Sequence, residues 1–505
     1  MIEQNLPVLI PVSFLFAALL IPLIGNWKQS STYPLVFGAV GFAFFLSIYG
    51  LSRVLTDGAI HYQLGGWIPP IGIEYVLDPL SSFMVVVITG VALLVLVHSK
   101  SVVELELPEK LIPYYSIAML FLAGLCGMVV TGDLFNLYVF LEISSLSGYA
   151  LIAVGEKRSS VAAFRYLLLG TIGASFYLLG LGFLYIVTGS LNLADLAKIL
   201  PHIYLEPTVI VGFVLMVGGV SIKMALFPLH GWLPDAYTLA PSASSALIAP
   251  IGTKVAAYVM IRIVLFVFEP NYFRDTLHVA DIITWVSAAG ILFGSIMAMA
   301  QDELKRMLAY SSVAQIGYIG LGLGMANPLA LTGAVLHVLN HAFMKACLFL
   351  VAGNLRTKVG HSTISEFDDS LRKTMPWTMA AFSIAALSMI GIPPTAGFFS
   401  KWYLILGGIE NSEWIFVAVI LSSSLLNAVY FFRVLEKVYL RSKDTVDVHH
   451  AHNDHVKENQ AVKRNEVGFS MLAPTIIFAI GIVLLGIFNA VLVNEVINLI
   501  IPAGI

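Results

Sequence analysis

Runs of about 20 apolar residues recur along the whole sequence, and they constrain the fold more than any other feature. A run of this length crosses the hydrocarbon core of a bilayer as an α-helix. Only 11% of the 505 residues are charged, whereas soluble domains carry roughly 25%. The short alternating segments of a transmembrane β-barrel are not found in the sequence. The sequence therefore predicts an all-α polytopic membrane protein, with the lipid bilayer as its surroundings and no nucleic-acid partner.

Hydropathy predicts about 14 transmembrane helices. Their expected ranges are 7–25, 33–54, 77–98, 112–131, 134–154, 161–188, 207–240, 241–268, 280–300, 305–325, 328–355, 376–408, 413–440 and 467–489. Placing the N-terminus outside puts sixteen lysine and arginine residues in the cytoplasmic connections and three in the opposite ones. Basic loops face the cytoplasm, so both termini are expected to be extracytoplasmic.

An internal repeat is suggested by two 17-residue segments. DLFNLYVFLEISSLSGY begins at Asp133 and DELKRMLAYSSVAQIGY begins at Asp302, and each contains paired serines and ends in Gly-Tyr. The segments start five predicted helices apart, which gives the two copies opposite orientations. Chance similarity between apolar helices is the alternative interpretation.

A helix-breaking motif follows each of these segments at a similar distance. Pro228 and Pro234 interrupt the first copy, and Pro393 with Pro394, in GIPPTAG, interrupts the second. Inverted repeats that each contain a broken helix are typical of transporters. Residues 1–111 are expected to form helices 1–3, with an extracytoplasmic loop at 55–76. Two five-helix repeats follow: the first covers 112–268 and is broken near 228–234, and the second covers 280–440 and is broken near 391–397. A cytoplasmic His-rich loop over 441–466 and a last helix with a tail over 467–505 complete the chain.

Eight basic residues lie inside or at the ends of the predicted helices. Arg262, Arg433 and Lys437 are near helix ends, where long side chains reach the headgroups. The others are Arg165, Lys223, Lys254, Lys345 and Lys401. A basic residue at the bilayer centre costs roughly 2.5–3.5 kcal/mol, so we expect these side chains to point into the protein and to have a function.

Glu142 is the one partner that the sequence suggests for Lys223. It lies in mid-helix with no basic residue within a turn. At ~4 Å and an effective dielectric constant near 20, an ion pair gains about 4 kcal/mol, so making or breaking it would control the proton on Lys223. A static pair that holds two helices together is the alternative. Lys223 and Lys401 each lie beside a helix break, where irregular backbone requires water or protein partners, and both are expected to be points of water access.

His337, His341 and Lys345 are spaced i, i+4 and i+8 and therefore share one face of a helix. Histidine titrates near physiological pH and suits a proton relay; structural hydrogen bonding is the alternative. A zinc site is disfavoured, because a lysine shares the face and no carboxylate or thiolate is near. Lys254 is expected to link Lys223 to this face.

Several polar residues are expected to have supporting roles. Arg165 is a candidate anchor for Glu142 or another acid. Tyr310, Ser311, Ser312 and Gln315 form a strip that suits either ordered water or helix packing. Residues 448–455, VHHAHNDH, are interpreted as a solvated linker and not as a metal site. We expect no metal and no cofactor, because the chain has no cofactor-binding motif.

Six segments resemble the antiporter-like subunit family that Mrp-type Na+/H+ antiporters share with respiratory complex I and membrane-bound hydrogenases. They are GGWIPPIGIEYVLDPLS (65–81), DLFNLYVFLEISSLSGYALIA (133–153), SIKMALFPLHGWLPDAYTLAPSASSALIA (221–249), QDELKRMLAYSSVAQIGYIG (301–320), LNHAFMKACLFLVAG (339–353) and GIPPTAGFFSKW (391–402). The resemblance covers nearly the whole chain.

The resemblance implies a line of protonatable groups along the membrane midplane. The residues that match the family's relay are Glu142, Lys223, Lys254, His337, His341, Lys345 and Lys401. A lysine at position 401, where some members have glutamate, favours the Mrp D-type and complex I N-type subunits, and the D type is the most similar.

Three functions follow from these expectations. The leading one is a proton-translocating subunit of a multisubunit Na+/H+ antiporter in a prokaryotic plasma membrane. The alternative is a pumping subunit of a complex I-type NADH:quinone oxidoreductase or a membrane-bound hydrogenase, with electrons handled by partner subunits. In the third, the embedded charges only hold the assembly together.

Overall fold

The structure is a computed structural model that describes residues 3–440 and 464–502. The His-rich stretch 448–455 lies outside the described residues, as does most of the predicted loop 441–466.

Twelve helical segments of the described chain are long and apolar enough to cross a membrane. The helices concerned are α1 (Leu6–Trp27), α2 (Thr32–Asp57), α3 (Pro79–Glu106), α4 (Leu111–Val130), α5 (Leu134–Ala153), α6 (Lys157–Thr188), α8 (Pro207–Met224), α10 (Ser242–Ile261), α11 (Val279–Met299), α13 (Pro328–Val359), α17 (Trp414–Tyr439) and α18 (Phe469–Ile487). Shorter helices are α7 (Leu193–Ile199), α9 (Leu233–Leu239), α14 (Ser370–Thr374) and α19 (Asn489–Glu495).

Two of the predicted membrane helices are not among the twelve. The range 305–325 forms a single helix, α12 (Leu304–Gly324), which begins with two basic residues and is polar in its middle. The range 376–408 is divided into α15 (Pro376–Ile390) and α16 (Ala396–Glu410). The polytopic helical fold is confirmed, whereas the number fourteen stays a prediction.

Both predicted helix breaks are present. The chain is irregular between Met224 and Leu233, and again between Ile390 and Ala396, and each gap contains a cis proline peptide bond. Pro234 does not contribute to the first break, because it occupies the first turn of α9. Proline is tolerated there, since the N–H groups of a first turn have no partner within the helix.

Glycine is required at the second break. Gly391 has φ +97 and ends α15 in the left-handed region, where a side chain is strained. A Cβ atom at this position would also lie 3.2 Å from Cδ of Lys401.

The two repeat segments begin with the same local structure. Asp133 accepts a hydrogen bond from the N–H of Asn136 and caps α5, whereas Glu303 accepts one from the N–H of Arg306 and caps α12. Each capping residue forms an antiparallel bridge with a later loop residue, Asn192 and Thr363 respectively. Glu303, and not Asp302, therefore corresponds to Asp133 in this respect.

Helix α13 lies at the centre of the bundle. It packs against α3, α10, α12, α15, α16 and α18, and between Ala330 and Leu355 only Phe343 is not fully buried. A helix that is apolar on all sides is suited to such a position. Polar side chains on α13 are therefore removed from lipid and from bulk water.

A small antiparallel hairpin, absent from the sequence-based prediction, lies in the region expected as the loop 55–76. Strands β1 (Ile60–Gln63) and β2 (Glu74–Leu77) pair with Ile60 opposite Leu77. Asp78 follows β2 and caps α3 by accepting from the N–H of Ser81 at 2.8 Å.

The prediction that Arg262 reaches the headgroups is wrong. Its guanidinium forms two hydrogen bonds with the carboxylate of Asp78, at 2.5 and 2.8 Å, and it also donates to the hydroxyl of Tyr258. A guanidinium binds one carboxylate through two parallel bonds, which favours this buried contact over solvation at the membrane surface.

We expect the Asp78–Arg262 pair to be a major stabilising contact between α3 and α10. Burial raises the pKa of Asp78, but the charge and hydrogen bonds of Arg262, together with Ser81, lower it to about 2. The stabilisation is therefore present above pH 4 and is lost as the pH falls towards 2. Asp78→Asn should cost about 3–5 kcal/mol, because it leaves a buried charge unpaired.

Thermal unfolding of the detergent-purified protein measures this loss. Asp275→Asn is the control, because Asp275 pairs with Arg274 at an exposed site where a pair contributes under ~1 kcal/mol. Equal unfolding temperatures for the two variants would contradict the prediction.

Candidate functional site

Lys223 lies in the last turn of α8, just before the first helix break, and is 8% exposed. Its Nζ atom donates to Oγ of Ser145 at 2.6 Å and to the hydroxyl of Tyr149 at 3.3 Å, both on α5. The indole N–H of Trp232 donates to the carbonyl of Ile222 at 2.9 Å. A carbonyl at the end of α8 thus has a partner inside the protein, as buried backbone requires.

The predicted direct ion pair between Glu142 and Lys223 is not formed. Lys223 is bonded to Ser145, three residues further along α5 than Glu142. Oε1 of Glu142 is buried and has no hydrogen-bond partner among the residues that the structure describes. A hydroxyl acceptor within reach competes with the carboxylate for the ammonium, so the two charged groups interact at longer range.

A small cavity of about 30 Å³ adjoins Lys223. Its walls include Ser144, Ser145 and Tyr166, together with apolar residues of α4 and α10. One water molecule needs roughly 10–15 Å³ of such space and two or more polar partners. The cavity therefore has room for water beside the ammonium group.

Lys254 is completely buried in α10. Its Nζ atom donates to the carbonyl of Ala249 at 2.7 Å and to Oγ1 of Thr253 at 3.4 Å, and no carboxylate of the described residues lies within 4 Å. Helix α10, which carries Lys254, packs against α13, which carries His341 and Lys345.

The His337–His341–Lys345 face is buried at all three positions. Nδ1 of His337 lies 2.9 Å from Oγ of Ser400 on α16, and the rings of His337 and His341 are stacked with centroids 5.8 Å apart. Lys345 donates to Ser311 and, at 2.7 Å, to the carbonyl of Leu308, both on α12.

Lys401 is bound at the second helix break. Its Nζ atom donates to the carbonyls of Met389 and Ile390, at 2.9 and 3.0 Å, and to Oγ of Ser424 at 3.1 Å. It also lies 5.0 Å from the centre of the Tyr318 ring. The break frees the last carbonyls of α15, and they orient the ammonium group.

The four residues of the polar strip on α12 differ in their contacts. Ser311 binds Lys345, whereas Ser312 donates to the carbonyl of Leu308 in its own helix. Both side-chain amide atoms of Gln315 are buried without partners in the described chain. Tyr310 is half-buried and packs against the apolar core. The amide group of Gln315 thus has unused hydrogen-bonding capacity, while Ser311 belongs to the lysine site.

Arg165 is paired with Asp235 on α9, at 2.6 Å, and not with Glu142. Asp235 also contacts Arg306 at 3.4 Å. Arg165 thus binds an acid other than Glu142, which the sequence left open. Its side chain is 61% exposed, so the expectation that it points into the protein is wrong; it reaches along the surface of α6 to the short helix after the first break.

Several buried polar atoms between α12, α13 and α16 have no partner within residues 3–440 and 464–502. They are both amide atoms of Gln315, the hydroxyl of Tyr318, Nε2 of His337, Oδ1 of Asn340 and both ring nitrogens of His341. Leaving such atoms without a partner costs ~1–3 kcal/mol each, so ordered water is expected here. This interior is a cluster of buried polar side chains enclosed by apolar helices.

A metal site has no support in the described part of the chain, where no three His, Cys, Asp or Glu side chains lie together as ligands. His337 instead contacts a serine hydroxyl through Nδ1. The site contains bases, ammonium groups and hydroxyls, which exchange protons.

Sequence reasoning named Ser311 as a supporting polar residue but missed the other immediate partners of the lysines and of His337. Ser145, Tyr149, Ser400 and Ser424 bind these side chains, but serine and tyrosine are common in membrane helices and carry no signal by themselves. Ser145 and Ser311 lie within the repeat segments, which is the one pattern that could have indicated them.

The chain is similar to known membrane proteins over most of its length. The family described as "NADH:quinone oxidoreductase/Mrp antiporter, TM" matches residues 131–427. The N subunit of the NADH-quinone oxidoreductase of Desulforudis audaxviator is 49% identical over 500 residues, which cover 99% of each chain. The D-type subunit of the Na(+)/H(+) antiporter of Alkalihalophilus pseudofirmus is 33% identical over 433 residues and 85% of each chain.

Two solved structures have the same fold. A chain of the membrane-bound sulfane sulfur reductase, an archaeal respiratory membrane complex, is 29% identical with a TM-score of 0.88, and the match covers 98% of this chain and 96% of that one. A chain of the Mrp complex of Dietzia sp. has a TM-score of 0.86 over 99% of this chain and 97% of that one, at 24% identity. Both come from multisubunit membrane complexes.

Proposed function

Because the chain belongs to the family of NADH:quinone oxidoreductase and Mrp antiporter transmembrane subunits, we propose that it is the proton-translocating subunit of a multisubunit membrane complex. The observation that carries the proposal is the buried line of Lys223, Lys254, Lys345 and Lys401, in which no ammonium group has a carboxylate of the described chain within 4 Å. Such groups are costly in the membrane and serve transport by default.

The relatives change the order of the two candidate complexes. The sequence alone favours the Mrp-type antiporter, but the relative from NADH-quinone oxidoreductase is 49% identical over 99% of both chains, against 33% for the antiporter relative. A redox-driven complex of the NADH:quinone oxidoreductase type is therefore the better-supported parent. Exchange of sodium or another monovalent cation for protons is the second candidate.

Purification of the intact complex distinguishes the two. We expect the chain to copurify with subunits that contain iron–sulfur clusters, and vesicles of the complex to take up protons when an electron donor and a quinone are added. Copurification with membrane subunits alone, together with proton movement driven only by a Na+ gradient, would assign the antiporter instead.

We propose that the proton is controlled by an exchange of partners at Lys223. In the state described, the ammonium is bonded to Ser145, and a buried oxygen of Glu142 has no partner in the described chain. Three residues along a helix correspond to about 4.5 Å, which a flexible lysine can cross. Pairing with Glu142 would hold the proton, and return to Ser145 would release it.

The onward path follows the buried polar groups. From Lys223 the proton would pass to Lys254, then to the His341 and Lys345 face, and through His337 to Lys401. The support is the packing of α10, which carries Lys254, against α13, and the contact of His337 with Ser400, the residue before Lys401. Arg165, Tyr310 and Ser312 are given no step in this path.

We also propose the orientation and the repeat boundaries given by the sequence. The basic connections place both termini outside a prokaryotic plasma membrane, and labelling of cysteines introduced at the exposed positions 205 and 365 tests this with an impermeant reagent. The matching caps and bridges at Asp133 and Glu303 support inverted repeats over 112–268 and 280–440.

A further inference from the structure

A second group of buried titratable side chains lies outside the lysine line, on α3. We propose that Glu106 and His98 form a proton-uptake branch that connects a surface cavity to Lys254. The inference rests on the proposed proton-translocating function and adds two residues and an access route to it.

The branch begins in a cavity of about 500 Å³. The cavity opens at the basic face, defined here as the end of the bundle formed by the connections 107–110, 154–156 and 360–375. Glu106, Glu109 and Glu156 contribute its carboxylates. The side chain of Glu106 is 17% exposed, against 84% for Glu156, so Glu106 is the acid on the inner wall.

Glu106 is bound to the start of α10. Its two oxygens accept hydrogen bonds from the N–H and Oγ of Ser242, at 2.9 and 2.6 Å. Ser242 is the first residue of the helix that carries Lys254. A carboxylate at a helix N-terminus is a common cap, so this contact alone would not indicate transport.

His98 provides the second, independent observation. It lies two turns before Glu106 on α3, is 1% exposed, and has its Nε2 atom 2.8 Å from Oδ1 of Asn354 on α13. The amide group of Asn354 donates to Thr475, so its oxygen is the acceptor and Nε2 of His98 carries the hydrogen. Nδ1 is then a lone-pair acceptor, and it is buried without a partner among the described residues.

Gly353 leaves space between the two groups. A Cβ atom built on Gly353 would lie 3.4 Å from Cε1 of His98 and 3.5 Å from Cβ of Ser242. The imidazole and the serine that binds Glu106 therefore flank the same gap. No side chain at position 353 therefore separates the imidazole from the serine that binds Glu106.

Further polar groups continue from this gap towards Lys254. The hydroxyl of Tyr237 is buried without a partner in the part of the chain described, and its ring packs against Phe349, one turn before Gly353 on α13. Thr253 lies beside Tyr237 and is also a neighbour of the Lys254 ammonium, at 3.4 Å.

The proton balance of the branch is simple. The carboxylate of Glu106 takes a proton from water in the cavity, and the proton passes through water at Gly353 to Nδ1 of His98. The imidazolium returns to its neutral form by giving that proton to the water and hydroxyl groups near Tyr237, which deliver it to a neutral Lys254. Around Glu106 and His98, the other titratable groups are Glu109, Lys110, Tyr114, Glu156, Arg158, Lys305 and Arg356.

The test uses the assembled complex in membrane vesicles, with proton uptake driven by its own reaction and followed by a pH-sensitive dye. Glu106→Gln and His98→Gln keep the hydrogen-bonding shape but cannot carry the proton, and each should lower the uptake rate at least roughly tenfold. Glu104→Gln, on an exposed turn of α3, and His202→Gln, at an exposed position, should leave it unchanged.

Chemical rescue separates transport from capping. Formate, a small weak acid that can carry a proton into the cavity, should restore uptake in Glu106→Gln but not in Lys223→Ala. Unchanged uptake in Glu106→Gln or His98→Gln overturns the branch, and so does a loss in Glu106→Gln that formate does not restore. Failure of the proposed function itself would appear differently, as normal uptake in Lys223→Ala.

Discussion

Replacing Lys223 with alanine is expected to reduce proton translocation by the assembled complex at least ~100-fold, the scale of a lost proton-transfer group. The ammonium at the first helix break is bonded only to the hydroxyls of Ser145 and Tyr149 within the described chain. Its removal leaves two neutral hydroxyls, which water can satisfy, so assembly should be preserved. Proton uptake and the subunit composition of the purified complex are the measurements.

Lys223→Arg makes the test specific for proton release. Arginine keeps the positive charge but does not lose its proton in proteins, so uptake should fall as far as in Lys223→Ala. A lysine with a purely structural role would instead tolerate arginine. Lys198→Ala, at an exposed position outside the spans, is the matched control and should behave as the unmodified protein.

The second large effect is expected at Lys254 and Lys401. Methionine preserves the length and apolar stem of either lysine but cannot carry a proton. Each substitution should lower the rate of proton translocation as far as Lys223→Ala does. Lys254→Met leaves the carbonyl of Ala249 within its own helix, whereas Lys401→Met frees two carbonyls at the break. We therefore expect some loss of stability in Lys401→Met and little in Lys254→Met.

Lys254→Met and Lys401→Met also distinguish a relay role of the embedded charges from a structural role. If the lysines only held the assembly together, Lys254→Met would lower the yield of the complex, and the complex that does assemble would translocate protons at the normal rate. Measuring both the yield of complex and the rate of proton uptake keeps the two explanations apart, because a relay residue affects the rate at normal yield.

The helix breaks show how far local sequence information reaches. Pro228, Pro393 and Pro394 lie in the interruptions as predicted, because a proline inside an apolar run opens the backbone wherever the run is packed. The prediction for Pro234 is wrong, because the same residue is also favoured in the first turn of a helix. Whether a proline interrupts a helix or lies in its first turn depends on where the next helix begins.

Local sequence information does not identify the partners of charged residues. Glu142 is the partner that the sequence predicts for Lys223, but Ser145 lies on the same helix within reach of the ammonium and binds it instead. Arg262 is predicted at the headgroups, and the bend of the chain before α3 brings Asp78 to it. His98 and Glu106 have no distinctive sequence signal, since a single histidine or a terminal glutamate is ordinary until a neighbouring helix encloses it.

The sequence by itself determined that the chain is a helical membrane protein, where its helices are interrupted, and that Lys223, Lys254, Lys345 and Lys401 face inward. Those properties follow from the cost of placing charge or open backbone in hydrocarbon, which applies residue by residue. The tertiary structure decided which hydroxyl, carbonyl or carboxylate each inward group contacts, because hydrogen bonds act over about 3 Å and depend on the rotation and depth of every packed helix.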